Sequence, residues 1–151
     1  MEEQTLATIR ALIASRDICV LATTNGEEPH TSLMAYAAET DGTVLYLVTR
    51  KASRKYLNIL TVPRVSLLID TRDEHLTEDR ASMLALSVNG TAEPITDSTV
   101  AGPCMERFLD RHPDMEGFVS REDSVFLRIR AESFLLLRGP ESARHVKLEK
   151  T

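Results

Sequence analysis

Residues 18–38 read Ile-Cys-Val-Leu-Ala-Thr-Thr-Asn-Gly-Glu-Glu-Pro-His-Thr-Ser-Leu-Met-Ala-Tyr-Ala-Ala, which is two apolar runs on either side of a tight turn. The dipeptide Asn25-Gly26 is typical of a two-residue hairpin turn, because both residues tolerate positive φ. Pro29 then allows residues 30–38 to begin as a strand. This stretch therefore predicts a β-hairpin made of strand 18–24 and strand 30–38.

The same pattern continues on both sides of the hairpin. Asp41-Gly42 marks a second turn, and the residues after it are rich in β-branched and apolar side chains, so the start of the chain reads as an antiparallel meander. Further strands are predicted at 43–49, 65–69, 83–92, 124–129 and 134–137. Helices are predicted at 3–15, 53–60 and 103–111. So few helices exclude a regular βαβ alternation, and a closed sheet leaves few exposed edges, so the predicted fold class is mainly β (α+β), an antiparallel barrel.

The length and the charge of the chain limit the number of domains and the kinds of partner that we expect. The chain has 151 residues, with 18 lysines and arginines against 23 aspartates and glutamates. We expect one domain over 1–151 and no general surface for nucleic acid or anionic membrane. No signal-peptide pattern and no bilayer-length apolar run is present, so we expect a cytoplasmic protein with no membrane partner.

The cysteines and histidines do not form a metal-binding pattern. Cys19 lies in an apolar run and is expected in the core. Cys104 follows Pro103 at the predicted start of a helix, where the helix dipole would lower its thiol pKa, but an inert packing role is favoured. The four histidines lack ligand spacing, and His145 is expected to be an exposed tail residue, so we predict no metal site.

The segment Thr49-Arg50-Lys51-Ala52-Ser53-Arg54-Lys55 places four cations within six residues of an acidic chain. The pairs at i and i+4 repel each other in a helix. A bound phosphate would offset that repulsion at the predicted helix start, where free amide groups and the helix dipole also favour an anion. The segment is therefore a candidate phosphate site, with a solvated basic turn as the alternative.

This segment resembles the FMN-phosphate segment of the pyridoxamine 5'-phosphate oxidase-like family. The shared features are a strand, the pattern Thr-x-x-x-Ser-Arg-Lys, and a helix that ends in Val-Pro-Arg-Val-Ser-Leu at 62–67. The resemblance implies an FMN-binding split β-barrel. It also implies that the cofactor phosphate is held by three residues, which are Ser53, Arg54 and Lys55.

The resemblance implies further cofactor contacts and an assembly. Two positions, Val48 and Thr49, would lie along the ribityl chain and the ring. The ring would run beside one strand, whose main-chain groups would bind its polar edge at Thr31, Ser32, Leu33 and Met34. A two-fold homodimer with two equivalent flavin sites at its interface is also implied.

The chain departs from the family enzymes that oxidise pyridoxamine phosphate. Residues 139–148 lack the Arg-Leu-x-Pro segment of those enzymes, and the predicted strand 83–92 carries no glutamine. We therefore expect an oxidoreductase with an unknown small-molecule substrate or electron donor and assign no catalytic side chain. The alternatives are a flavin carrier, a redox sensor, a relative that binds haem or a deazaflavin, and a barrel that has lost its cofactor.

Overall fold

The computed structural model describes residues 2–74 and 79–149 of the chain. The helices of this part are α1 (Glu2–Ser15), α2 (Arg54–Thr61), α3 (Ser98–Arg111) and the one-turn α4 (Glu116–Val119). The strands are β1 (Ile18–Thr24), β2 (Pro29–Ala35), β3 (Ala37–Ala38), β4 (Val44–Arg50), β5 (Arg64–Asp70), β6 (Leu84–Ile95), β7 (Ser124–Arg138) and β8 (Ser142–Lys147). Short 3₁₀ turns lie at 72–74, 80–82 and 113–115.

The strands form one antiparallel sheet in the order β2-β1-β5-β6-β7-β4-β3. The long strand β7 pairs with β6 along one edge and, along its other edge, with β4 through its first half and β8 through its second half. The two ends of this order, β2 and β3, are consecutive in the chain but do not pair with each other in the described ladder. The fold is an antiparallel split β-barrel with a few helices, as the sequence predicts.

Two packed clusters support the sheet. Helix α1 buries Ile9, Leu12 and Ile13 against one face. Helix α3 covers a second cluster, in which Phe108 meets Phe126 edge to face with ring centroids 5.7 Å apart. Val48 of β4 belongs to that second cluster, so the end of β4 rests on a fixed apolar base.

Tyr36 interrupts the strand predicted over 30–38. Its N–H donates to the Asp17 carbonyl (2.9 Å), its hydroxyl donates to the Ile13 carbonyl (2.7 Å), and its carbonyl lies 2.7 Å from Nε2 of His112. Because a carbonyl only accepts, Nε2 of His112 carries the proton. The prediction of one strand is therefore wrong: the chain leaves β1 at this residue and joins β4 as β3.

Helix α3 begins earlier than predicted. The carboxylate of Asp97 accepts from the N–H of Thr99 at 2.9 Å and caps the helix, so Pro103 lies inside the helix rather than in its first turn. Cys104 is then buried away from the helix start, and burial raises the pKa of its thiol. The interpretation of Cys104 as a thiol activated by the helix dipole is therefore wrong, and its burial agrees with the favoured packing role. Cys19 is a core residue, as predicted.

The end of the chain also differs from the prediction. The strands expected at 124–129 and 134–137 are one strand, β7, which passes Glu132 through a bulge opposite Asn89 and Gly90. The register of β6 against β7 shifts between Asn89 and Gly90. The segment 134–137 is not the last strand, because β8 follows it, with five of its six residues exposed. An exposed strand carries no apolar periodicity, which is why the sequence pattern missed it.

Candidate functional site

A groove of about 510 Å³ lies where the barrel is split, between the ends of β2 and β4. The loop between β4 and α2 forms one end of the groove, and the turn and short helix at 113–119 form the facing wall. The lining residues are Leu33, Met34, Ala35, Val48, Thr49, Arg50, Ala52, Ser53, Lys55, Met115 and Phe118.

Six of the nine predicted cofactor residues line this groove, and three do not. The six are Leu33, Met34, Val48, Thr49, Ser53 and Lys55. Thr31 is exposed on β2, and the Ser32 hydroxyl lies 3.2 Å from Nε2 of His30. Arg54 is the exposed first residue of α2, next to the groove rather than in its wall.

Ser53 connects the end of β4 to the start of α2. Its hydroxyl accepts from the N–H of Tyr56 (3.2 Å), which makes it the N-cap, and lies 2.9 Å from the hydroxyl of Thr49. Its N–H donates to the Arg50 carbonyl at 3.0 Å. The loop therefore holds two hydroxyl groups side by side at the polar end of the groove, next to the first turn of a helix.

The basic cluster is partly neutralised by a residue that the sequence reasoning missed. Nε of Arg50 donates to the carboxylate of Asp123 at 2.7 Å, and this hydrogen bond lowers the pKa of Asp123. Within the described part of the chain, Lys51, Arg54 and Lys55 have no ion pair. Lys55 is half-buried, and burial lowers the pKa of its ammonium group. Of these three unpaired cations, Lys55 is the one that lines the groove, at its polar end.

Met115 and Phe118 form the wall that the sequence reasoning did not find. The hydroxyl of Ser124 donates to the Phe118 carbonyl at 2.6 Å and ties this wall to the start of β7. Both residues lie at least 60 positions from the basic segment, and only tertiary folding brings them to it. No local pattern marks such a wall in a single sequence.

Neither a cluster of metal ligands nor a helix that could span a membrane is found among the described residues. Over 2–74 and 79–149 no three histidine, cysteine, aspartate or glutamate side chains converge on one point. His145 is exposed on β8, His112 is buried at the end of α3, and His75 lies outside the described residues. None of the helices described is long and apolar enough to cross a bilayer.

The chemistry of the groove fits a flavin mononucleotide. Its walls are apolar at Leu33, Val48 and Phe118, which suits a planar ring, and its other end carries Ser53 and Lys55, which suit a phosphate. A volume of about 510 Å³ lies within the range of ligand sites, about 300–1,000 Å³. The groove is also open on one side, so a ring bound in it would stay partly exposed in the single subunit.

Comparisons with known proteins agree with this fold. The family model described as pyridoxamine 5'-phosphate oxidase matches residues 5–138. No curated protein matches the chain. Among solved structures, a heme binding protein from Mycobacterium smegmatis is similar, with 18% identity and a TM-score of 0.79 over 92% of this chain and 56% of that one.

Two further structures are similar over nearly their whole length. General Stress Protein 26 from Bacillus anthracis has 21% identity and a TM-score of 0.69, covering 96% of this chain and 99% of its own. The heme storage protein HutZ from Vibrio cholerae has 17% identity and a TM-score of 0.72, covering 91% and 94%. At these identities the likeness shows the fold alone. The chain spans little more than half of the Mycobacterium smegmatis protein.

Proposed function

The chain belongs to the pyridoxamine 5'-phosphate oxidase family, and on that premise we propose that it is a flavoprotein that holds FMN in the groove between β2 and β4. The observation that carries this proposal is the groove itself, in which an apolar slot leads to the unpaired cation of Lys55 and the capping hydroxyl of Ser53. A planar ring with an anionic tail has the same distribution of polarity.

Each part of the groove then has a role in binding. Ser53, Arg54 and Lys55 would hold the phosphate, with Arg54 able to give two parallel hydrogen bonds from outside the groove wall. Val48 and Thr49 would lie along the ribityl chain and ring. The main chain of β2 at 31–34 would bind the polar edge of the ring. When bound, FMN supplies hydride and electron transfer, so the protein's task is to orient the ring and control access to it.

We propose an oxidoreductase that acts on a small molecule, without assigning a side chain as acid or base. The oxidation of pyridoxamine phosphate is not proposed. Residues 139–148 lack the Arg-Leu-x-Pro segment of those family enzymes, and residues 142–147 form the edge strand β8, outside the groove lining. A cytoplasmic location remains part of this proposal.

The proposal predicts that FMN binds more tightly than the adenine dinucleotide FAD. The groove has one compact cationic end, and the sequence has no glycine-rich turn for a pyrophosphate. Apoprotein should be titrated with each flavin, and binding followed by flavin fluorescence. Equal or tighter binding of FAD would overturn the proposal in this form.

The proposal includes a homodimer that covers the open side of the groove. Leu33 lines the groove and is 74% exposed, and Ile18 is 45% exposed. In the register of β1 and β2, Val20 pairs with Leu33 and Ile18 pairs with Ala35. Paired residues point to the same side of the sheet, so Ile18 and Leu33 lie on the same face. This apolar face at the rim would be covered, and a bound ring enclosed, by a second copy.

Sedimentation at about 10 μM should therefore give twice the monomer mass. Leu33→Asp should shift the protein to monomer and release flavin, because it places a charge in the proposed interface. Leu60→Asp is the matched control, since Leu60 is 55% exposed on α2 and does not line the groove. A wild-type monomer that keeps its flavin would contradict the assembly.

The lowered pKa of Lys55 predicts a pH dependence of binding. A lysine is charged below its pKa, so burial makes Lys55 lose its charge at a lower pH than an ordinary lysine. FMN affinity should then fall as pH rises toward the ordinary lysine pKa of about 10.4, while riboflavin affinity stays level. Lys55→Arg should flatten the FMN profile, and an unchanged profile in that variant would exclude Lys55 as its source.

A second candidate function is haem binding. Two of the similar structures are described as a heme binding protein and a heme storage protein, although their likeness to this chain is one of fold. There are two further alternatives. One is a protein that binds a deazaflavin in place of FMN, and the other is a flavin carrier or redox sensor without a substrate. Absorption spectra of the purified protein separate haem, flavin and deazaflavin.

A further inference from the structure

A second groove, of about 540 Å³, lies between the N-terminal half of α1 and the hairpin of β7 and β8. It shares no lining residue with the groove between β2 and β4. The buried residues Leu136 and Val146 form its apolar part, and the exposed residues Arg138 and Arg144 also line it. The two grooves are therefore separate features of the molecule.

The strand register fixes both arginines on one face of the hairpin. Arg138 is paired with Ser142, and Leu136 is paired with Arg144. Residues opposite each other in an antiparallel pair point to the same side of the sheet, so Arg138 and Arg144 are diagonal neighbours above buried Leu136. Diagonal neighbours lie about 7–8 Å apart, which brings the ends of two arginine side chains within reach of one small ligand.

These arginines differ from most others in the described residues. Seven arginines form an ion pair with a carboxylate, and they are Arg16, Arg50, Arg64, Arg72, Arg107, Arg128 and Arg130. Arg138 and Arg144 form none within 2–74 and 79–149, although acidic residues outnumber basic ones in the chain. Glu2 also lines the groove, without an ion pair to either arginine. Two neighbouring arginines thus line one groove without an ion pair among the described residues.

We propose that this groove binds a small organic anion with two oxyanion charges, such as a phosphate ester or a dicarboxylate. Each guanidinium can give two parallel hydrogen bonds to an oxyanion, and Ser142 also lines the groove. The apolar part at Leu136 and Val146 would take the carbon part of the ligand. This site is independent of FMN binding in the other groove.

The test uses isothermal titration of the full chain with inorganic pyrophosphate and, separately, with malonate. Saturable binding is expected for at least one of them, and the tighter of the two identifies the oxyanion class. Arg138→Gln and Arg144→Gln should each lower the affinity about tenfold, because each removes a charge-assisted pair of hydrogen bonds. Arg10→Gln is the matched control, because Arg10 is an exposed arginine of α1 that does not line the groove.

The following outcomes would overturn the anion-site proposal or separate it from the proposed function. Affinity that is unchanged in the double variant Arg138→Gln/Arg144→Gln, or absent binding of both probes, would overturn it. Affinity that is lost in Arg54→Ala instead would also overturn it, since the anion would then occupy the β2–β4 groove. If the anion-site proposal fails while the double variant still binds FMN, the proposed FMN function is unaffected by that failure.

Discussion

Replacing Arg54 or Lys55 with alanine is expected to weaken FMN binding by about 1.5–3 kcal/mol and to leave riboflavin binding almost unchanged. Riboflavin lacks the phosphate, so a side chain that binds only the phosphate contributes nothing to its affinity. Arg54→Ala should cost more than Arg54→Lys, because lysine keeps the charge and loses the bidentate geometry. The measurement is a pair of titrations, FMN and riboflavin, for each variant.

The cluster supplies its own control. Lys51 belongs to the same run of cations but neither lines the groove nor lies in the first turn of α2, where Arg54 and Lys55 are, so Lys51→Ala should change FMN affinity by much less. Stability without cofactor should stay level or rise slightly in the Arg54 and Lys55 variants, since each relieves repulsion among neighbouring cations. Equal weakening of both flavins by Arg54→Ala would mean general damage to the site, and the phosphate assignment would fall.

Gly90→Ala is expected to destabilise the barrel by about 3 kcal/mol. A Cβ at residue 90 would lie 2.1 Å from the carbonyl oxygen of Arg130, and that oxygen belongs to the backbone of β7 at the bulge. No side-chain rotation relieves such a contact, so the two central strands would have to separate locally. Urea unfolding of the cofactor-free protein measures the effect.

The same substitution at Gly102 should have a much smaller effect. Gly102 is exposed inside α3, and apart from its chain neighbours and its own helix a Cβ there would meet nothing within 4 Å. Alanine should therefore change the stability by less than about 1 kcal/mol, because the gain from replacing glycine within a helix opposes the crowding of a Cβ against the ring of Pro103. A similarly small effect of Gly90→Ala would contradict the close contact between residue 90 of β6 and the carbonyl oxygen of Arg130 in β7.

Features encoded by neighbouring residues were predictable from the sequence. Strand β1 has the predicted bounds, because an apolar run and the Asn25-Gly26 turn define it locally. Helix α2 begins one residue after Ser53, where the serine caps the first turn. The basic segment was predicted as a strand followed by a helix start, and the structure has that arrangement at the edge of a groove.

Features that depend on distant residues were not predictable in this way. Asp123 pairs with Arg50 across 73 positions of sequence, and Met115 and Phe118 meet the basic segment only in the folded chain. Tertiary packing decides such contacts, and single-sequence patterns carry no record of it. The early start of α3 has a local cause instead, since the carboxylate of Asp97 caps the helix before Pro103.

The most direct test of the central claim is the visible absorption spectrum of the purified protein, followed by release of the chromophore and its identification. We predict a flavin spectrum whose released cofactor is FMN, or a colourless apoprotein that acquires that spectrum when FMN is added. A Soret band, a deazaflavin spectrum, or a colourless protein that takes up no FMN would contradict the claim.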